Sequence, residues 1–184
     1  MDPIQALTTT FWFFLPAYAA NCTPVVVSKI KSLPSHPLDL YFHYNGSRLL
    51  GDNKTWRGFV SGVVVAIIVC YLQRLLYLQS SDIQNLSVFD YQYGNSWALG
   101  GLLGVGALTG DAVKSFFKRR RGIKNGDPWI FWDQVDQVIG ASVFALPLVI
   151  LPSSLYVWAL VLTFLLVVAV NHLAYGIGLK SVPW

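Results

Sequence analysis

Glutamate is missing from this sequence, and all nine acidic residues are aspartates. Charge of either sign is scarce: Asp, Lys and Arg make up 12% of the chain, about half the share usual in a soluble domain. Cysteine is nearly absent as well. Cys22 and Cys70 stand far apart in apolar surroundings, form no metal-ligand spacing and say little about redox compartment. No Lys or Arg precedes the first apolar run, and Asp2 stands where a signal peptide would carry its basic region. Although Ala17-Tyr18-Ala19 has the look of a small-residue cleavage site, the segment therefore reads as a retained helix.

What the chain has is hydrocarbon. Hydrophobic residues are 54% of it, and the mean hydropathy is +0.51, so a core of this composition would have to face lipid. The net charge of +4 could suggest nucleic acid. In so apolar a chain, however, the basic residues read as loop charges at a membrane surface, and nucleic acid is set aside.

A helix needs about 20 apolar residues to cross the hydrocarbon core. Five segments reach that length, at residues 3–27, 58–78, 97–117, 133–151 and 154–179. The expected fold is therefore an all-α polytopic membrane protein of about five transmembrane helices, with residues 1–184 forming one membrane-embedded domain. Pro16 predicts a kink in the first span. Gly100, Gly104, Gly106 and Gly110 form two small-xxx-small pairs in the third, which allow close helix approach. Twelve of the thirteen Lys and Arg fall in two loops, at their flank or in the C-terminal tail, all on one side; only Arg74 lies near the other. The positive-inside rule then places both basic loops and the C-terminus in the cytoplasm, with the N-terminus outside.

The same length argument locates charges a membrane should not tolerate. The apolar run of the fourth span, 138–151, is too short to cross alone, so Asp136 and Asp133 are drawn below the cytoplasmic surface. Asp111 lies six residues before Phe117, about 9 Å inward, and Asn171 and His172 reach a similar depth in the fifth span. Asp133 and Asp136 share a helix face, as do Asp111 and Lys114. A carboxylate at this depth costs several kcal/mol unless paired, hydrated or bound to a cation. Three carboxylates without a histidine cluster offer hard oxygen ligands that suit Mg²⁺ better than zinc. The plainer alternative pairs Asp111 with Lys114, and Asp133 and Asp136 with Arg119 to Arg121. It accounts for single pairs but not for so many charges at one level.

Lys118-Arg119-Arg120-Arg121 with Lys124 could be only a stop-transfer anchor on anionic lipid. Flanked by intramembrane carboxylates and a loop shaped by Gly122, Gly126 and Pro128, it reads better as equipment for polyphosphate. Gly46 and Gly51 have the spacing of a P-loop, but Asp52 occupies the place of the essential lysine and no strand precedes it, so that reading fails. Lys54 and Arg57 remain candidates for phosphate contact. Trp56 reads equally as an interfacial aromatic or as a stacking platform.

Taken in order, Gly51-Asp52-Asn53-Lys54-Thr55-Trp56-Arg57-Gly58, Gly110-Asp111, Ser115-Phe116-Phe117-Lys118-Arg119-Arg120, Gly122, Gly126, Asp133-Gln134-Val135-Asp136, Ala174-Tyr175, Gly178-Leu179-Lys180 and Pro183-Trp184 resemble the archaeal CDP-archaeol synthase family. Asn21 with Pro24, and Pro37 with Asp39, fit too. The resemblance covers nearly the whole chain; Asn53, where glycine is expected, is a mild departure. It implies a CTP-dependent cytidylyltransferase, related to the CDP-diacylglycerol synthases. Such an enzyme joins CTP to 2,3-di-O-geranylgeranylglyceryl phosphate, an isoprenoid ether lipid phosphate, with Mg²⁺. On that basis Asp111, Asp133 and Asp136 are the expected metal ligands, and Lys118, Arg119 and Arg120 the triphosphate contacts. Lys54 and Arg57 would meet the lipid phosphate or leaving group, and Lys114 would join the phosphate-binding set. A transporter would spread its polar positions along a path through the bilayer, whereas here they stop at one depth. The Asp-Gly…Ala-Arg…Gly…Asp…Asp signature of a CDP-alcohol phosphotransferase is absent.

Overall fold

A computed structural model describes residues 1–30, 34–44, 46–123, 127, 129 and 131–178. The motif residues Lys31, Lys124, Gly126, Pro128, Leu179, Lys180, Pro183 and Trp184 lie outside that set. Among the described residues the chain forms α1 (Pro3–Ser28), a hairpin of β1 (His43–Tyr44) and β2 (Ser47–Arg48), α2 (Trp56–Gln79), the short α3 (Ser81–Leu86), α4 (Ser96–Arg120), α5 (Trp132–Ala145) and α6 (Ser153–Gly176).

Three of these helices, α1, α2 and α6, are long and apolar enough to cross a membrane by length and composition. Their outward faces are greasy: Val60, Val64, Ile68 and Leu72 of α2, and Val157, Val161 and Leu165 of α6, are exposed at steps of four. In water such stripes would be a liability; in lipid they are the solvent-facing surface. The interior holds Phe13 and Phe14 of α1, Leu99 and Leu103 of α4, Val138 of α5 and Leu155 of α6. Thr55 and Asn95 start α2 and α4 by accepting the Gly58 and Ala98 amides at 3.2 and 3.1 Å, which satisfies N–H groups the helix cannot.

One interior proline of α1 is met by a specific partner. Pro16 has no N–H, so the Trp12 carbonyl one turn back loses its helical donor. Gln73 of α2, buried, supplies one through Nε2 at 2.5 Å. Tyr18 and Thr163 join α1 to α6 through hydroxyls 2.8 Å apart.

The fourth expected span is not one continuous helix. The α5 helix stops at Ala145, about 21 Å from its start at 1.5 Å per residue. Leu146 keeps helical dihedrals, but Pro147 has no N–H to continue the ladder; the chain runs on as turn and irregular backbone to Pro152.

Glycine sets the distance between α4 and its neighbours. At Gly100 and Gly104 a methyl would lie 2.8 Å from Cys70 and Ala66 of α2, whereas at Gly106 and Gly110 it would meet the Gly140 and Asp136 carbonyls of α5 at 2.5 and 2.3 Å. The two glycine pairs thus serve two different partners. The second pair brings the backbone of Asp136 against the residue preceding Asp111.

Candidate active site

Three aspartates and three lysines meet at one end of the bundle. Lys114, a turn beyond Asp111 on α4, points its ammonium at three carboxylates: Asp111 at 3.0 Å, Asp133 at 3.1 Å and Asp136 at 2.8 Å. Lys118, one turn further and 8% exposed, takes Asp133 at 3.0 Å. Lys54, from the loop before α2, pairs with Asp111 on its other oxygen. The cluster balances three negative charges with three positive ones.

Local structure explains why the carboxylates stay put. The Trp129 amide donates to Asp133 Oδ2 at 2.6 Å, and the Asp133 amide returns a bond to the Trp129 carbonyl at 3.0 Å. This reciprocal pair starts α5, beside Phe131, whose φ of 76° is unusual for a bulky residue. Asp136 accepts the Gln137 amide on Oδ1 at 2.8 Å. Its buried Oδ2 has the Lys114 ion pair but no well-directed hydrogen bond.

Of the residues singled out from sequence, Asp111, Asp133, Asp136, Lys54, Lys114 and Lys118 are brought together. The plainer Asp111–Lys114 pair is present too, but the same lysine also serves both α5 carboxylates. Arg119 is half-buried in the final turn of α4. Two arginines expected on phosphate donate to main-chain carbonyls. Arg57 donates to the Ile30 and Ser28 carbonyls at 2.9 and 3.4 Å, closing the C-terminus of α1. Arg120 donates to the Tyr44, Ser47 and Arg48 carbonyls of the hairpin, between the Tyr44 and Phe116 rings. His172 lies 2.8 Å from the Val168 carbonyl within its own helix.

Sequence reasoning gave Asp39 no chemical role. Its carboxylate is buried and accepts Arg48 twice and the Tyr41, Leu50 and Gly51 amides. Burial pushes its pKa upward, but the Arg48 and backbone hydrogen bonds outweigh that and hold it below the usual carboxylate range. Only the Pro37 and Asp39 pairing in the family resemblance pointed to this position.

Beside the cluster a cleft of about 440 Å³ opens between α4 and α5. Lys114, Asp136 and Arg121 supply its charged lining, and Val113, Ile139, Val143 and Phe144 are among its apolar residues. Among the described residues no group of three or more His, Cys, Asp or Glu is already spaced to hold a metal. The donor set nevertheless suits a hard divalent cation, since three carboxylates converge on one point and the buried Asp136 Oδ2 lacks a directed partner there. Lys114 stands at that point.

Comparison with known proteins gives the chain a family context. A family model described as CarS-like, CDP-archaeol synthase, matches residues 4–184. The CDP-archaeol synthase of Thermococcus kodakarensis is 38% identical over 184 residues, covering 100% of both chains. That of Methanococcus maripaludis is 36% identical over 185 residues, again covering 100% of both. Among solved structures, an intramembrane enzyme for archaeal membrane lipid biosynthesis superposes with a TM-score of 0.65 at 27% identity, over 88% of this chain and 91% of the other.

Proposed function

Because the chain belongs to the CDP-archaeol synthase family, we propose that it transfers CMP from CTP to the phosphate of 2,3-di-O-geranylgeranylglyceryl phosphate, forming CDP-archaeol and pyrophosphate. The observation that carries the reading is the convergence of Lys54, Lys114 and Lys118 with Asp111, Asp133 and Asp136 beside an apolar cleft. A phosphate-recognising cluster opening onto hydrocarbon-lined space suits a reaction between a nucleotide and a lipid phosphate.

In this reaction an oxygen of the lipid phosphate forms a bond to the α-phosphorus of CTP while the bond to the β-phosphate oxygen breaks. Both reactants are anions, so charge neutralisation and in-line positioning are the main tasks. Asp111, Asp133 and Asp136 would hold Mg²⁺, which when bound supplies charge neutralisation to the phosphates. For that, Lys114 turns from the carboxylates to a phosphate oxygen. Lys118 and Arg119 bind the triphosphate, and Lys54 meets the lipid phosphate or the departing pyrophosphate. No general base is required, since a phosphate monoester is already largely ionised near neutral pH. The α4–α5 cleft receives part of an isoprenoid chain.

The membrane arrangement follows the same logic. We read α1, α2, α4, α5 with its continuation to Pro152, and α6 as five crossings with the N-terminus outside. The Lys and Arg that follow α1, precede α2 and close α4 support a cytoplasmic site.

The test is a transfer assay with detergent-purified protein, geranylgeranylated glyceryl phosphate and CTP labelled at either the α- or the γ-phosphorus, with and without Mg²⁺. Label from the α position should enter the lipid only with Mg²⁺, with pyrophosphate released. Transfer of the γ label would indicate a lipid kinase, and no product from folded protein would end the cytidylyltransferase reading.

A further inference from the structure

We infer that Arg120 and Asp39 are positioning residues, which together brace the loop before α2 so that Lys54 is held against Asp111. The inference rests on Lys54 acting in the site proposed above.

Lys54 is the one cluster member carried by irregular backbone. The α4 and α5 residues are fixed by helix packing through Gly110 and Gly140, whereas Lys54 precedes α2 in a stretch whose described residues have the short β1–β2 hairpin as their regular structure. A long lysine on such a loop would scatter unless the loop were tied. Three sets of bonds tie it.

The first is backbone pairing. The Leu38 amide donates to the Lys54 carbonyl at 2.7 Å, the Trp56 amide donates to His36 at 3.0 Å, and Pro37 bridges Thr55. Lys54 is thereby attached to the residues just before Asp39. The second is the Asp39 carboxylate, with five hydrogen bonds from Arg48 and the Tyr41, Leu50 and Gly51 amides. The third is Arg120, whose guanidinium gathers the Tyr44, Ser47 and Arg48 carbonyls onto the end of α4. The route runs without a gap from α4 through Arg120, the hairpin, Arg48 and Asp39 to the strand-like pair that carries Lys54. Lys54 then returns to α4 at Asp111.

Backbone strain gives independent support. Leu40 and Tyr41 both have positive φ, 46° and 65°, and the Phe42 amide closes the turn on the Asp39 carbonyl at 2.8 Å. Two successive residues at positive φ, neither glycine nor asparagine, are strained because Cβ crowds the following carbonyl oxygen. Such a conformation persists where surrounding contacts over-determine it, and it concentrates at functional sites. Here the over-determining contacts are those of Asp39 and Arg48, with Arg48 also 4.9 Å above the Tyr41 ring.

A double-mutant cycle tests the inference. Arg120→Gln should cut turnover at saturating substrates by about tenfold or more in the otherwise natural chain, yet change it less than about twofold in the Lys54→Met background, since residues acting through one another are not additive. Arg120→Lys should fail to rescue, because a point charge cannot span three carbonyls as the planar fork does. Should Arg120→Gln not fold, Asp39→Asn enters the same cycle with the same expectation. Equal losses in both backgrounds, or rescue by Arg120→Lys with a raised KM for CTP, would overturn the inference in favour of direct phosphate contact. Natural turnover by Lys54→Met would instead sink the site reading for Lys54, and the brace with it.

Discussion

Gly140→Ala is the substitution by which the fold should most directly disturb the site. A methyl at this position would stand 2.1 Å from the Gly106 carbonyl oxygen and 3.0 Å from the Gly110 Cα. Carbon to oxygen contacts close at about 3.3 Å, so α4 and α5 must part by about 1 Å, since both obstacles are backbone. Overpacking of this kind costs about 1–3 kcal/mol. Asp136 lies one turn from Gly140, about 6 Å along the helix. A shift of this size would take its 2.8 Å contact with Lys114 to nearly 4 Å. Misplacement by about 1 Å in a site that works by orientation costs on the order of a hundredfold in rate, or about 2.7 kcal/mol of barrier. The assay pairs thermal melting in detergent with CMP transfer per folded molecule. Both should fall, activity by far the more. Natural activity with an unchanged melting temperature would show that the α4–α5 separation does not govern the cluster.

Three further outcomes follow from particular bonds. Gln73→Leu leaves the Trp12 carbonyl, already deprived by Pro16, without its donor. Stability should drop by about 1–2 kcal/mol on melting in detergent, while turnover per folded molecule stays the same. Arg57→Ala should lower the melting temperature by freeing the end of α1 and leave both KM values nearly unchanged; a selective rise in one KM would instead assign Arg57 to phosphate. The Asp39 pKa is held below its unfolded value of about 3.9. Its contribution is therefore complete above that value and is lost as pH falls through the folded pKa. Hydrogen exchange at the Leu50 and Gly51 amides, corrected for intrinsic rates, should accelerate below about pH 4. In Asp39→Asn the same amides should show no such acid dependence.

Much of this molecule was legible in sequence because a bilayer leaves few choices. Runs of about 20 apolar residues can be read without tertiary knowledge, and three of the expected spans return as helices long and apolar enough to cross. Sequence singled out Asp111, Asp133 and Asp136 as charges in need of partners, and the fold sets Lys54, Lys114 and Lys118 beside them. What escaped depends on where backbone goes rather than on residue type. The end of α5 at Ala145 was hidden because Leu146 to Leu151 is as apolar as a helix would be; the signal was Pro147. Arg57 and Arg120 carry the same charge as a phosphate ligand, and only the folded chain sets the Ile30 and Tyr44 carbonyls before them. The Asp39 lock combines residues up to twelve positions apart in a loop without periodicity.

The central claim is that the carboxylate and lysine cluster performs the cytidylyl transfer. Its most direct test compares purified natural protein with Asp136→Asn in Mg²⁺-dependent incorporation of α-labelled CTP into geranylgeranylated glyceryl phosphate, with folding verified by melting and size-exclusion behaviour. Asn keeps the shape and one oxygen but removes the charge facing Lys114. The account expects product from the natural protein and a loss on the order of a hundredfold or more in the variant. Full activity from a folded Asp136→Asn protein would contradict it and move the chemistry elsewhere in the chain.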